Sequence, residues 1–312
     1  MMKKIIIPIT ITLLIIISGF IIMYKVGVFN RYDVYNNVKY GEHERNVFDL
    51  YLPKNYKEGG LILYIHGGAW IAGSKESYEN DMKKYAKKGV ACAAINYRYA
   101  SSEVSCDDIL DDIDKAVIKI KEKAKEEGIE LDKMMLTGHS AGAHLSLMYA
   151  YKYQNTAAIK PVAVASFAGP TDLTDSMYYS NWPTVYELFS YMIGKEFNES
   201  TKEDVRDELL HASPISYVNA NTVPTIIAQG EMDNIVSLNN GKTLEKVLKD
   251  NNVEYYAYYY PNSGHGLEHD RDINKQVYDK FNEFVLKYLK KRWCIWIYPK
   301  SIRLLMNAKM SI

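Results

Sequence analysis

From about residue 40 the chain alternates between two kinds of hydrophobic pattern. Short runs, apolar throughout or alternating apolar with polar, recur at 46–52, 61–66, 90–97, 133–138, 162–168, 225–229 and 253–260. Between them lie longer stretches with apolar residues at helical spacing. The stretch 107–127 carries Ile109, Leu110, Ile113, Val117, Ile118 and Ile120, and 141–153, 238–250 and 273–290 read the same way. A period of two fits a strand, and a period near 3.6 fits a helix. Strands alternating with helices predict an α/β domain, with a mainly parallel sheet covered by helices on both faces. No repeat of fixed period is present, and roughly 250 residues in this arrangement can share one core.

Three stretches break the pattern. Residues 171–219 are rich in aromatic and acidic residues, among them Tyr178, Tyr179, Trp182, Tyr186, Phe189 and Tyr191. They predict irregular loop plus short helices over one end of the sheet, either a plain surface insertion or a cap with an aromatic substrate pocket. At the amino terminus, Lys3 and Lys4 precede an apolar run over residues 5–23. As a helix those residues would span ~29 Å, about one bilayer core. No small-residue cleavage site follows them, so residues 1–29 are expected to be an uncleaved membrane anchor, with secretion after signal cleavage as the alternative. The short leading tail favours a cytoplasmic amino end and an extracytoplasmic main domain; the positive-inside comparison itself is nearly tied. The main domain is expected over 30–291. Residues 292–312 form a basic, apolar tail read either as an extension without a role or as a surface-lying membrane contact.

Charge sharpens this division. The 312 residues carry 38 Lys plus Arg and 38 Asp plus Glu, a formal charge of zero. The balance argues against a strongly basic nucleic-acid binder, yet it is a sum of unlike parts. Residues 1–32 hold Lys3, Lys4, Lys25 and Arg31 and no acid. Residues 284–312 hold Lys287, Lys290, Lys291, Arg292, Lys300, Arg303 and Lys309 and no acid. The centre of the chain is therefore acidic. Three cysteines, Cys92, Cys106 and Cys294, match neither a disulfide framework nor a zinc motif. Asn198-Glu199-Ser200 fits a glycosylation sequon, a pattern that often arises by chance.

The most informative segment is Gly138-His139-Ser140-Ala141-Gly142. It follows a strand pattern and opens a helix pattern, the context in which G-x-S-x-G forms a sharp turn exposing the serine hydroxyl. A second segment, His66-Gly67-Gly68-Ala69-Trp70, directly follows a strand. Its glycines let backbone N–H groups converge on one oxygen, as the developing oxyanion of acyl transfer requires. Gly68, Ala69 and Ala141 are the expected donors, with Gly67 shaping the turn. A serine nucleophile needs a base, and the base an orienting acid. Past the next strand ends lie Gly230-Glu231-Met232-Asp233 and Gly264-His265-Gly266. Either Asp233 or Glu231 could be the acid. His265, flanked by glycines, is favoured as the base over His269, which sits among charges. His139 and His144, close to Ser140 in sequence, read as structural.

These motifs resemble those of the α/β-hydrolase superfamily, in the esterase/lipase group with a His-Gly-Gly oxyanion motif that includes hormone-sensitive-lipase-like carboxylesterases. The resemblance spans roughly 40–290. It extends to Asn96-Tyr97-Arg98, Gly169-Pro170-Thr171-Asp172-Leu173 and Ser213-Pro214. It implies an eight-stranded, mostly parallel sheet with helices on both faces and a small cap, and a Ser140–Asp233–His265 triad. The chain departs from the pattern at Ala69, where many members have glycine, after Arg98, where a proline-rich run is missing, and at Ser237 in place of a proline. The implied activity is hydrolysis of carboxylic esters through an acyl-enzyme, needing no metal or organic cofactor. An aryl-formamidase or peptidase on the same fold, or an anchored binding domain without catalysis, are the alternatives. The implied partner is a small-molecule ester.

Overall fold

The computed structural model describes residues 31–289, apart from 55, 182 and 183. The expected anchor at 1–29, the tail at 292–312, Trp182 and Cys294 lie outside the described residues. Eight strands form one sheet: β1 (Tyr32–Lys39), β2 (Val47–Pro53), β3 (Glu58–Ile65), β4 (Ala91–Ile95), β5 (Glu130–His139), β6 (Lys160–Phe167), β7 (Thr225–Gly230) and β8 (Tyr255–Tyr260). Their spatial order is β1-β2-β4-β3-β5-β6-β7-β8. The β1–β2 and β2–β4 pairs are antiparallel, and every other pair is parallel. This is the α/β-hydrolase fold.

Side-chain alternation divides the core into two layers. In β3, Leu61, Leu63 and Ile65 face one layer while Ile62 and Tyr64 face the other. In β4, Ala91, Ala93 and Ile95 share the first layer, and Cys92 and Ala94 the second. Successive residues of a strand point to opposite faces, so a sheet buried on both sides needs unbroken apolar runs. The first layer packs against α2 (Cys106–Glu126), α3 (Ala141–Lys152) and α7 (Leu238–Asp250); the second packs against α1 (Glu79–Lys87) and α8 (Arg271–Phe284). Helix α3 is buried over its first eleven residues, as suits the central helix behind the sheet. Helix α2 starts on a capping box in which Ser105 and Asp108 bond each other's backbone N–H. Cys92 and Cys106 are buried and free.

Two elements escaped the pattern reading. Strand β1 is mostly exposed, so its side chains carry little apolar alternation. Helix α1 presents only Met82, Tyr85 and Ala86 to the core in a strongly charged sequence. Between β6 and β7 lie the three short helices of the cap, α4 (Met177–Asn181), α5 (Val185–Ile193) and α6 (Arg206–His211). Its aromatic residues mostly pack on one another. Tyr178 lies edge-on to Phe189 at 5.2 Å, and Tyr186 is 5.0 Å from Phe197. Tyr178, Phe189 and Phe197 are buried. These rings form a core within the cap, while Tyr179, Tyr186 and Tyr191 stay partly exposed.

The two ends of the described chain are fastened at one rim. Tyr32 pairs with Pro53, and the N–H of Lys54 donates to the Arg31 carbonyl at 2.8 Å. At the other end a π-helical turn, Val285–Leu289, continues α8. A Cβ on Gly60 would fall 2.5 Å from Leu289 Cδ2, so Leu289 lies directly against the start of β3. Both attachments are at the rim where the parallel strands begin.

Candidate active site

Strand order reverses about β3, which has β4 on one side and β5 on the other. The crevice past the carboxyl ends of strands at such a switch point is where parallel sheets place ligands. The loop after β3 carries the 66–70 motif, and the turn after β5 carries Ser140.

Ser140 has φ 55° and ψ −127°, a backbone conformation that L-residues rarely adopt. It is held there by its own N–H, which donates to the Phe167 carbonyl at 2.9 Å, and by its carbonyl, which accepts from Ala143 and His144. The flanking glycines are dictated by close approach. A Cβ on Gly142 would lie 2.0 Å from the Ile65 carbonyl oxygen, and one on Gly138 would lie 2.4 Å from the Gly142 carbonyl carbon. The elbow therefore nests against the end of β3.

The β3 loop is built on unusual backbone as well. Gly68, Ala69 and Trp70 have φ of 111°, 50° and 63° in succession. A Cβ on Gly67 would meet the His139 carbonyl oxygen at 2.6 Å and Ser140 Cβ at 3.4 Å, so this loop and the elbow touch. Among the described residues, no backbone or side-chain acceptor engages the N–H of Gly68, Ala69 or Ala141.

Behind the loop, His66 is buried and stacked on Tyr97 at 4.3 Å. Burial pushes its pKa down to about 4, and Arg45 adds to this. The neutral ring accepts from Arg45 Nη2 on Nε2 at 3.2 Å, so Nδ1 carries the proton and donates to the Gly67 carbonyl at 2.8 Å. Arg45 also donates to the carbonyls of Tyr97 and Gly73 and stacks on Tyr99 at 3.7 Å. The stretch after Arg98 folds into a turn bridged between Ser101 and Val104. Ala100 N–H ties it to the Trp70 carbonyl at 3.0 Å. An open basin of about 530 Å³ lies beside it, lined in part by Arg45, Arg98 and Tyr99.

The structure brings together Ser140, His265 and Asp233, which come from three separate loops. Ser140 Oγ is 2.9 Å from His265 Nε2, and His265 Nδ1 is 2.8 Å from Asp233 Oδ2. The carboxylate of Asp233 is fully buried. It accepts from the backbone N–H groups of Ile235 and Val236, both at 2.9 Å, and from Gln229 Nε2 at 3.1 Å. A buried charge is tolerated when its lone pairs are filled in this way. An acceptor on Nδ1 fixes the proton there and leaves Nε2 to receive one from the serine. Glu231, two residues away, is exposed, and His269 is exposed against Glu268. His139 donates its Nε2 proton to the His265 carbonyl at 2.7 Å, which supports the histidine loop from below. His144 is fully buried with both ring nitrogens engaged, one by the Trp70 indole and one by the Ala212 carbonyl.

Several supporting residues gave no sequence signal of their own. Asp270 accepts from Asn262 and Ser263 and so closes the loop that carries His265. A Cβ on Gly230 would fall 2.4 Å from the Gly264 carbonyl oxygen, which explains a glycine just ahead of the acid turn. Arg45 acts at a distance in sequence that pattern reading does not reach, and Gln229, only four residues before Asp233, ends an apolar strand run and belongs to no motif. Among the described residues, no group of His, Cys, Asp or Glu side chains comes together in a metal-holding arrangement.

Comparison with known proteins agrees with the fold and the motifs. The BD-FAE family matches residues 48–248. The probable carboxylic ester hydrolase LipM of Mycobacterium tuberculosis (strain ATCC 25618 / H37Rv) is 28% identical over 222 residues, covering 66% of this chain and 49% of LipM. Esterase LipQ of the same organism is 26% identical over 248 residues, covering 75% of this chain and 57% of LipQ. The chain thus spans about half the length of these curated relatives. Among solved structures, a truncated carbohydrate esterase from gut microbiota superposes with a TM-score of 0.67 at 21% identity, covering 81% of this chain and 97% of that one. At that identity the likeness is one of fold. The family match takes in β2 through α7, including the oxyanion-type loop, the serine elbow and Asp233, and on that extent the chain belongs to the BD-FAE family.

Proposed function

We propose that this protein is a serine carboxylesterase. The observation that carries the reading is the hydrogen-bonded series Ser140–His265–Asp233, set at a loop junction where the N–H groups of Gly68, Ala69 and Ala141 have no acceptor among the described residues. His265 Nε2 takes the hydroxyl proton as Ser140 Oγ attacks the acyl carbon. The resulting oxyanion is received by the N–H groups of Gly68, Ala69 and Ala141, which are already oriented before reaction. Asp233 holds the imidazole with its proton on Nδ1 and stabilises the imidazolium. The tetrahedral species collapses, the C–O bond to the alcohol breaks, and His265 gives its proton to the departing oxygen. Water then attacks the acyl-Ser140 ester with His265 again as base, releasing the acid and restoring the hydroxyl.

The proposal extends to placement in the cell. The apolar run at 5–23 supports an uncleaved membrane anchor, and the short leading tail supports a cytoplasmic amino end with the hydrolase domain on the extracytoplasmic side. Among the described residues no helix is long and apolar enough to cross a membrane, and the anchor reading rests on the sequence of residues 5–23 alone.

The test is a panel of short- and long-chain esters, formyl-aryl amides and peptides, run on the purified chain and on Ser140→Ala. Ester turnover lost by several powers of ten in the variant is the expected result. Turnover unchanged in Ser140→Ala would overturn the assignment, and higher kcat/KM on amides than on esters would move it to the amidase reading.

A further inference from the structure

A cavity of about 220 Å³ lies in the second core layer, on the face of the sheet covered by α1 and α8. It adjoins His139 and Gly266 and does not include Ser140 or His265. Six aromatic rings wall it, in three close pairs. Tyr64 and Tyr78 are 4.9 Å apart, Tyr85 and Phe281 are 5.5 Å apart, and Phe167 and Tyr278 are 6.0 Å apart.

Among the described residues, the hydroxyl of Tyr64 makes no hydrogen bond, and its oxygen is closed off from the cavity space. The Asp81 carboxylate also lines the cavity. Among the described residues it has neither a hydrogen bond nor an ion pair, and only the longer-range charge of Lys84 acts on it. Burial raises its pKa, as expected for a carboxylate whose lost hydration nothing replaces. The ring faces already attract a cation from outside. The ammonium of Lys84, an exposed residue, stands 5.1 Å from the Tyr278 centroid and 5.5 Å from that of Tyr85.

We propose that this cavity is a binding site for a small alkylammonium ion, with Asp81 balancing its charge and the aromatic walls enclosing its alkyl groups. Aromatic faces and a single carboxylate favour an organic monocation over a strongly hydrated metal ion, because the rings offer quadrupole and dispersion attraction but few oxygen ligands. An anion is disfavoured by Asp81, and a neutral apolar guest would leave the Asp81 carboxylate unpaired. The inference does not depend on the hydrolase reading.

Methylammonium chloride and tetramethylammonium chloride are titrated into the full chain at constant ionic strength, with potassium chloride as the balancing salt. Binding is read from the NMR line widths of the ligand methyl protons. Saturable methylammonium binding is expected, at least tenfold weaker in Asp81→Asn. Tyr278→Leu, which removes one ring of the wall, should weaken both ions several-fold. Broadening that never saturates, as for a cavity holding water only, overturns the proposal. So does displacement by potassium as effective as that by tetramethylammonium, or equal affinity in wild type and Asp81→Asn. If a thermal melt shows Asp81→Asn unfolded, Tyr278→Leu decides, and unchanged affinity for both ions in that variant overturns the site.

Discussion

The indole N–H of Trp70 donates to Nδ1 of His144 across 3.2 Å, and Nε2 of the same imidazole donates to the Ala212 carbonyl at 2.7 Å. One ring thereby joins the oxyanion-type loop to the helix behind the serine and to the segment that leaves the cap. Trp70 also lies edge-on to Phe189 of the cap, 6.3 Å between centroids. Trp70→Phe keeps the packing and removes the donor. It is expected to lower kcat roughly tenfold with little change in KM, since displaced oxyanion donors act mainly on the transition state. A stopped assay on a soluble ester measures both constants. A change confined to KM would place Trp70 in substrate binding instead.

Replacing Asp233 tests how the imidazole is held. Asp233→Asn retains the shape but can present an N–H to His265 Nδ1, which favours the tautomer with its proton on Nε2. That tautomer cannot accept from Ser140. A loss in kcat on the order of 10⁴ is expected near neutral pH. Glu231→Gln, at an exposed position with no contact to His265, is expected to retain wild-type turnover within twofold. Reversed sensitivities of the two variants would transfer the orienting role to Glu231.

Acid should weaken the fold through two buried imidazoles. Burial pushes the pKa values of His66 and His144 down to about 4 from an ordinary 6.5. Between those values the unfolded chain holds protons that the folded chain does not. Stability from these groups is full above about 6.5 and declines as the pH falls toward 4, by at most about 3 kcal/mol for each. Melting temperatures recorded from pH 7.5 to 4.5 should fall along this window. The fall should be shallower in His144→Gln, which no longer has that group to titrate.

Lys75 is buried and bonds Asp49 at 3.0 Å and Glu76 at 2.7 Å. Its backbone N–H also donates to Asn96 Oδ1 at 2.7 Å. Lys75→Met removes one charge and strands the other, so a loss of about 3–5 kcal/mol is expected in urea unfolding. The double variant Lys75→Met, Asp49→Leu should recover much of that loss, because neither charge remains buried. No recovery would mean that Asp49 stabilises the fold mainly through the N–H of Asn37, which it accepts at 2.8 Å.

Most of the sheet was legible because a strand buried on both faces has to be apolar at every position. β4, with Ala91, Cys92, Ala93, Ala94 and Ile95 all buried, is the plainest case. β1 was not legible for the opposite reason: as an exposed edge strand it can carry Asp33, Asn36 and Asn37. The serine elbow could be read because Gly138 and Gly142 are required by backbone contact, and such requirements leave fixed residues in the sequence. Arg45, Gln229 and Asp270 could not be read. Each reaches the site through hydrogen bonds to backbone or to one other side chain, and many residue types at many positions can do that. The cap rings marked an apolar cluster correctly, but ring content alone could not tell a packed core from an open pocket.

The attachment of Leu289 against Gly60, and of Tyr32 beside Pro53, gives the molecule two poles. Tyr32 and Leu289 stand at one, while Ser140 stands at the other, beyond the far end of β3. Eight strand residues separate the poles by roughly 25 Å. If residues before Tyr32 or after Leu289 tether the protein to a lipid surface, the tether grips the base of the molecule and the catalytic mouth points into the surrounding water. Esters free in solution, or displayed well clear of the headgroups, could then reach the serine, while one sunk among acyl chains would first have to leave them.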